Sequence, residues 1–144
     1  MTLSFRNVDA DPAQPVETWP YEAMVAAIER GSVSGWARLT AAIRRHPWGD
    51  VARSVEAYLG YAEPSGVSAL LDRAIRQARA DTEAADRAQV AARVRSLVAE
   101  SGLTAAEFAS RVGTSSSRLS TYVTGKVVPS AAMMLRMERV AADR

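Results

Sequence analysis

The sequence predicts an all-α protein, in which an N-terminal module of about four helices is joined by a helical connector to a second helical module. Apolar residues recur along most of the chain at the three- and four-residue spacing of amphipathic helices. No segment of the N-terminal half alternates with the period of two that a half-buried strand requires. Glycine, proline and hydroxyl-bearing residues fall between the periodic segments, where helices are expected to begin and end.

The N-terminal module is predicted to span residues 18–80. Thr18 and Pro20 stand where a first helix needs a cap and a fixed φ, and Gly31 and Gly60 are suited to a left-handed helix end. Four amphipathic helices are indicated by apolar residues, namely Tyr21, Met24, Val25 and Ile28, then Trp36, Leu39 and Ile43, then Val51, Val55, Tyr58 and Leu59, then Val67, Leu70, Leu71 and Ile75.

The segments on either side of this module are less apolar. Residues 1–17 carry acidic residues and proline without helical periodicity, so we expect a flexible tail or a strap along the surface, without regular structure. Between Ile75 and Val90 there is no large apolar residue, although helix-forming residues are abundant. This stretch predicts either one solvated helix, continuous over residues 66–101, or two helices hinged near residues 81 and 82. The domain boundary is expected here.

Composition excludes several classes of protein. The chain has no cysteine and one histidine, His46, so we expect no disulfide, no metal site and no cofactor. The carboxylates are scattered, and neither a glycine-rich phosphate loop nor a nucleophile beside a base occurs, so we expect no enzymatic activity. The first residues lack the pattern of a secretion signal, and no run of about 18 apolar residues occurs, so we expect a cytoplasmic protein without membrane contact.

Positive charge is concentrated in the C-terminal part of the chain. Residues 1–83 contain nine Arg and Lys against eleven Asp and Glu, whereas residues 84–144 contain nine against five. A positive excess on one module is suited to attracting phosphate groups, although proteins that do not bind nucleic acid can have as much.

The three tryptophans, Trp19, Trp36 and Trp48, all lie in the N-terminal module. We expect them to fill a small core, and the alternative is a surface that binds a partner. Arg44 and Arg45, beside the histidine, are expected to lie at a solvated helix end, with a pH switch or a phosphate contact as the alternative.

The second module, residues 81–144, contains two short helices separated by a tight turn. Thr104 and Glu107 have the spacing of a capping box, which predicts that a helix begins at Thr104. Gly113 ends it, Ser115 caps the next helix, and Gly125 stops that one. A last helix follows Pro129 and includes Met134, Met137 and Val140.

This arrangement predicts a helix-turn-helix. Ala109 lies where the two helices cross most closely and must be small, Gly113 makes the turn, and Leu119 fills the shared core. The surrounding sequence resembles the lambda-repressor-like or XRE family of DNA-binding domains, over about residues 87–141. The matching positions are Leu103, Thr104, Glu107, Ala109, Gly113, Ser115, Leu119, Ser120, Gly125, Lys126 and Pro129. Two positions depart from the family pattern: Ala105, where many members carry Gln, and Val123, where an acidic residue is common.

The resemblance implies that the helix from Ser116 to Thr124 is the recognition helix, which lies in the major groove of DNA. It implies base-reading roles for Ser116, Ser117, Arg118 and Thr121, with Arg118 the first choice because its guanidinium matches the two acceptors of guanine. It also implies phosphate contacts from Thr104, Ser115 and Lys126.

These features predict a transcriptional regulator, most simply a dimeric repressor that reads an inverted repeat, with the N-terminal module forming the homodimer. The alternative is an antitoxin whose N-terminal module neutralises a partner toxin while its C-terminal domain represses their shared operon. A third hypothesis is that residues 18–80 sense a small molecule, for which the sequence offers no convergent polar groups.

Overall fold

The computed structural model describes residues 4–5 and 10–143 of the chain. This part of the protein contains α-helices and one 3₁₀ turn, without a β-strand, so the predicted all-α fold is confirmed. The 3₁₀ turn is Val16–Thr18, and the helices are α1 (Tyr21–Arg30), α2 (Val33–Arg45), α3 (Asp50–Leu59), α4 (Gly66–Ser101), α5 (Ala105–Val112), α6 (Ser116–Val123) and α7 (Ala131–Ala142). None of these helices combines the length and apolar character that a bilayer-spanning segment needs.

Contacts divide the chain into an N-terminal unit, Met1–Thr82, and a C-terminal unit, Glu83–Arg144. Helix α4 runs through the division without a break, which answers the question left open by the sequence in favour of one helix. Residues 83–89 within it are exposed, as expected for a stretch that has no large apolar side chain.

The N-terminal unit is built around the inner faces of α1, α2, α3 and the first turns of α4. Leu39 and Ile43 of α2 meet Val55 of α3 and Leu71 of α4, and all four side chains are fully buried. Burying each such side chain contributes about 1.5–3 kcal/mol to folding. These aliphatic residues therefore form the centre of the unit.

The tryptophans do not form this centre, so the expectation that they fill the core is wrong in part. Trp19 and Trp36 are half-buried at its margin, and Trp48 is 45% exposed. The Arg79 guanidinium lies 5.9 Å from the centre of the Trp48 ring, an arrangement that covers one face of the indole without excluding water from it. On α1 the buried residues are Met24, Ile28 and three alanines, Ala23, Ala26 and Ala27.

The chain before α1 includes ordered contacts, and the expectation of no regular structure up to residue 17 is wrong for the 3₁₀ turn. Val16 is buried, and Arg38 donates to the carbonyl oxygens of Pro12 (2.7 Å) and Gln14 (2.8 Å). Arg45 forms an ion pair with Glu17. The described part of this segment is thus a strap tied to α2, whereas residues 1–3 and 6–9, to which the prediction of a tail also applied, lie outside the described residues.

Three predicted helix ends differ in the structure. The Thr18 hydroxyl donates to the Pro15 carbonyl inside the 3₁₀ turn, and Pro20 precedes α1 without a side-chain cap. Gly31 is extended (φ −82°, ψ −174°) and Gly60 is right-handed helical (φ −66°, ψ −22°), so neither is left-handed. A Cβ atom on Gly31 would lie 2.0 Å from the Ala27 carbonyl oxygen, so close backbone approach is what requires glycine there.

The C-terminal unit packs α5, α6 and α7 against the last turns of α4. Its buried centre is formed by large side chains from all four helices, and Phe108 is completely buried. The other members are Val94, Leu97, Ala109, Val112, Leu119, Tyr122, Met137 and Ala141. This cluster holds the two short helices and the turn between them as one body.

Candidate nucleic-acid interface

Helix α5 begins with a hydroxyl cap. The Thr104 side chain accepts a hydrogen bond from the Glu107 amide at 3.2 Å and donates its hydroxyl proton to the Glu107 carboxylate at 2.9 Å. In a complete capping box the carboxylate binds a backbone amide, and here it binds the capping hydroxyl instead. The amides of the first turn that have no partner within the helix point outward, where they favour an anion.

The turn after α5 is a Schellman motif centred on Gly113. This glycine has φ 82° and ψ 36°, and its amide donates to the Ser110 carbonyl while the next amide, that of Thr114, donates to the Ala109 carbonyl. Ala109 is 1% exposed beneath the turn. The left-handed glycine reverses the chain within three residues and lets α6 begin at once.

Helix α6 begins after Ser115, whose side chain accepts from the Arg118 amide at 3.1 Å. Leu119 and Tyr122 turn into the core, at 1% and 5% exposure. The helix ends at Val123, one residue earlier than the predicted Thr124, which follows as the cap in a right-handed conformation. Two buried side chains one turn apart, with the half-buried Val123 beside them, thus anchor a helix whose outer face is polar.

The outer face of α6 is lined by small hydroxyl side chains. With about 100° between successive residues, the inward direction of Leu119 and Tyr122 places Ser117 and Thr121 on the opposite side. Ser117 is exposed and Thr121 is half-buried. The Thr121 hydroxyl donates to the Arg118 carbonyl at 2.6 Å, so its oxygen is left as an acceptor and its methyl group as an apolar contact.

Ser116 and Arg118 lie on the two flanks of that face. Ser116 borders a cleft lined by α4, α5 and α6, in which Val98, Ala105 and Val123 provide the accessible apolar surface. The Arg118 Nε atom donates to the Tyr122 hydroxyl at 3.2 Å, so its side chain lies along the helix toward the core. The structure therefore brings the four predicted base-reading residues onto one short helix, with two pointing outward and two at its edges.

The predicted phosphate-binding residues lie at three exposed positions. Thr104 and Ser115 cap the N-termini of α5 and α6, and Lys126 follows the turn at Gly125, which has φ 80°. Within the described chain, neither Lys126 nor Arg118 has a carboxylate within 4 Å. Both charges are free to attract phosphate, unlike Arg93, which lies near two glutamates.

Three further residues shape this surface, and the sequence motif had assigned them no role. Ser120 and Thr124 are exposed beside Ser117 on the outer face, and counting helical positions from Leu119 would have found them. Arg95 of α4 donates to the Val123 carbonyl at 2.8 Å, which satisfies an orphan acceptor at the end of α6. No sequence signal joins those two residues, because 28 positions separate them.

Comparison with known proteins agrees with this geometry. Residues 89–141 match a family model described as a helix-turn-helix domain. No curated protein and no solved structure matches the chain. The matched segment takes in the last turns of α4 and all of α5 and α6, together with almost all of α7, and these are the elements that form the C-terminal core. Residues 89–141 thus form a helix-turn-helix domain, which supports the resemblance to DNA-binding domains of the lambda-repressor or XRE type.

Proposed function

We propose that this protein is a sequence-specific transcriptional regulator, which binds operator DNA as a dimer and represses by occupying it. The observation that carries the proposal is the presentation of α6, whose inner residues Leu119 and Tyr122 fix it to the core while its outer face carries only small polar side chains. A short helix that projects from the core in this way fits the major groove of B-DNA, which is about 12 Å wide.

In this proposal the outer face of α6 reads base edges. Ser117 and Thr121 are small enough to let the helix axis approach the bases, and their oxygens and the Thr methyl group give weak discrimination. Arg118 supplies the stronger contact, because a guanidinium binds both major-groove acceptors of guanine. To reach a base it must leave the Tyr122 hydroxyl, which is an exchange of one hydrogen bond for two.

Phosphate contacts would set the register of this helix on the duplex. Thr104 and Ser115 lie at the start of successive helices, where exposed amides and the helix dipole favour an anion. Lys126 adds a free ammonium group just beyond the recognition helix. Such contacts supply affinity for any sequence and make it fall with salt.

The dimer follows from the small footprint of a single domain of this type. Two copies related by a twofold axis reach half-sites about 34 Å apart, and the operator is then an inverted repeat. We assign dimerisation to the N-terminal unit, because none of its residues belongs to the proposed DNA-binding surface. Repression is the simpler mode of action, because occupying the operator needs no further contact.

A second candidate, an antitoxin that also neutralises a partner toxin, is supported by one observation. The N-terminal unit carries an apolar groove whose rim is positively charged, as described below. Such a surface is suited to a protein partner.

The test of the proposed function is selection of double-stranded DNA from a random pool by the full chain. We expect enrichment of an inverted repeat with half-sites about 10 base pairs apart, and affinity that falls steeply with salt. Ser117→Ala with Thr121→Ala should shift the enriched sequence, while the matched control Ser34→Ala on α2 should not. Failure to enrich any sequence above the starting pool would contradict the proposal.

A further inference from the structure

An open groove of ≈ 350 Å³ lies between α2 and α4 of the N-terminal unit. Val33 and Leu70 are 74% and 46% exposed at its edge, although aliphatic side chains of this size are usually buried. The apolar lining consists of Val33, Trp36, Ala37, Leu70 and Ala74. The groove takes no part in the DNA-binding geometry described above.

The groove has the length of a short helix. Its lining residues recur along α2 at positions 33, 36, 37, 40 and 44, and along α4 at positions 70, 73, 74 and 77. The spacing along α2 covers three turns, or about 16 Å at a rise of 1.5 Å per residue. A helix of about eleven residues has the same length, and such helices bind grooves through residues at positions i, i+3, i+4 and i+7.

The polar atoms of the groove floor are already satisfied within the unit. The Trp36 indole N–H donates to the carbonyls of Ala27 (3.2 Å) and Ile28 (3.3 Å), and the Thr40 hydroxyl donates to the Ala37 carbonyl (2.9 Å). An apolar side chain that entered the groove would therefore leave no polar group of the floor without a partner.

The charge at the rim is positive and unpaired. Arg44 on α2 and Arg73 on α4 line the groove, which has no acidic residue in its lining. Across the described ranges, no carboxylate lies within 4 Å of either guanidinium, whereas Arg45, Arg76 and Arg79 nearby all form ion pairs. A groove lined by a tryptophan and two free arginines has the composition typical of an interface hot spot.

We propose that this groove binds an amphipathic helix of a partner protein, with the apolar stripe of that helix on Trp36 and Leu70 and its flanking Asp or Glu residues on Arg44 and Arg73. The proposal describes the kind of partner that an antitoxin, the second candidate function, would bind, and in that respect it rests on that candidate function. It does not depend on how the C-terminal unit reads DNA.

The experiment uses two synthetic, fluorescently labelled helical peptides of about three turns. Both carry the same leucines at positions i, i+3, i+4 and i+7, and they differ only in their flanking residues, which are glutamate in one and lysine in the other. Fluorescence anisotropy with the full chain should show that the glutamate peptide binds at least about tenfold more tightly, because like charges across an interface are unfavourable.

Charge reversal identifies the groove as the binding site. The double variant Arg44→Glu, Arg73→Glu should reverse the preference, so that the lysine peptide binds more tightly. The matched control Arg53→Glu changes an exposed arginine on α3 outside the groove and should keep the wild-type preference. Circular dichroism of each variant checks that the helices are retained.

Three outcomes would overturn the proposal: equal binding of the two peptides, no binding of either at about 1 mM, or an unchanged preference in the double variant. A fourth outcome would also overturn it: the wild-type chain sediments as a dimer, and Leu70→Glu dissociates that dimer. The groove would then hold a second copy of this chain. Operator binding is measured on the same samples. If the wild-type chain binds the operator but shows no preference between the peptides, this inference alone is refuted. If it shows the preference but binds no operator, the proposed function alone is refuted.

Discussion

The Arg95 guanidinium donates a hydrogen bond to the Val123 carbonyl oxygen at 2.8 Å, and so ties the last turn of α6 to α4. The last carbonyls of a helix lack partners within the helix and carry partial negative charge, so a cation there is favourable. After α6, Gly125 adopts a left-handed conformation with φ 80°. This glycine ends the helix and brings the chain close to Ala91 of α4. Helix α6 is thus held at its C-terminal end by α4 as well as at its centre by the core.

Arg95→Ala should loosen that end of α6. Arg95 is exposed, so we expect a loss of only about 0.5–1.5 kcal/mol in the free energy of unfolding. We also expect weaker operator binding, because the helix would be less well positioned. Urea unfolding and anisotropy measure the two effects. Arg136→Ala, an exposed arginine of α7, is the control, and an equal loss in both variants would argue against the assigned role of Arg95.

Gly113→Ala should destabilise the C-terminal unit by about 1–3 kcal/mol, because alanine is strained at φ 82°. A Cβ atom there would meet no other atom within 4 Å, so the cost comes from the backbone alone. Gly113→Asn should therefore be milder, since asparagine tolerates the left-handed region better. Thermal unfolding measures the order of the three proteins, and alanine equal to glycine would contradict the assignment.

The boundaries of α5 and α6 could be predicted because the signals for them are local. A capping hydroxyl at Thr104 or Ser115 acts on an amide three residues away, and the left-handed turn at Gly113 needs no distant partner. Other features depend on contacts between segments distant in sequence. Gly31 is required by close approach to the Ala27 carbonyl oxygen rather than by positive φ.

The same physical reason explains two features that the sequence could not predict at the candidate nucleic-acid interface and at the groove. The bond from Arg95 to α6 and the groove beside Trp36 arise only when separate helices pack together. The outward direction of Ser117 follows from helical spacing alone. That Arg118 lies along the helix against Tyr122 has a different cause: the contact is local, but a long arginine side chain has several rotamers and the sequence does not select among them.

Arg118→Ala and Lys126→Ala should weaken operator binding in different ways. Loss of a guanidinium on guanine costs about 1–3 kcal/mol and relaxes the sequence preference at one position. Loss of a phosphate contact weakens binding to all DNA sequences alike. It also reduces the slope of log affinity against log salt concentration by about one. Tyr122→Phe, which removes only the hydroxyl that holds Arg118, should keep the sequence preference. Uniform weakening by both alanine variants would contradict base reading by Arg118.

The ion pair of Glu17 with Arg45 should make the N-terminal unit more stable at neutral than at acidic pH. A hydrogen bond from Arg45 holds the pKa of Glu17 below its ordinary value of 4.5. The contribution is therefore present above pH 4.5 and is lost as the pH falls through the lowered pKa. Glu17→Gln should lower the melting temperature slightly at pH 7, and the difference from wild type should shrink as the pH falls below 4.5 and Glu17 becomes protonated. A difference that stays constant over this range would contradict the assignment.

The placement of the outer face of α6 in the major groove can be tested directly, because the chain has no cysteine of its own. Ser117→Cys places a single thiol on that face, and Ala132→Cys places one on the exposed side of α7. The measurement is the rate of thiol alkylation with and without saturating selected operator DNA. We expect the operator to slow alkylation of Ser117→Cys at least about tenfold, a protection factor worth about 1.4 kcal/mol, and to leave that of Ala132→Cys unchanged. If the thiol at position 117 reacts equally fast in the bound protein, this face does not enter the groove and the account is wrong.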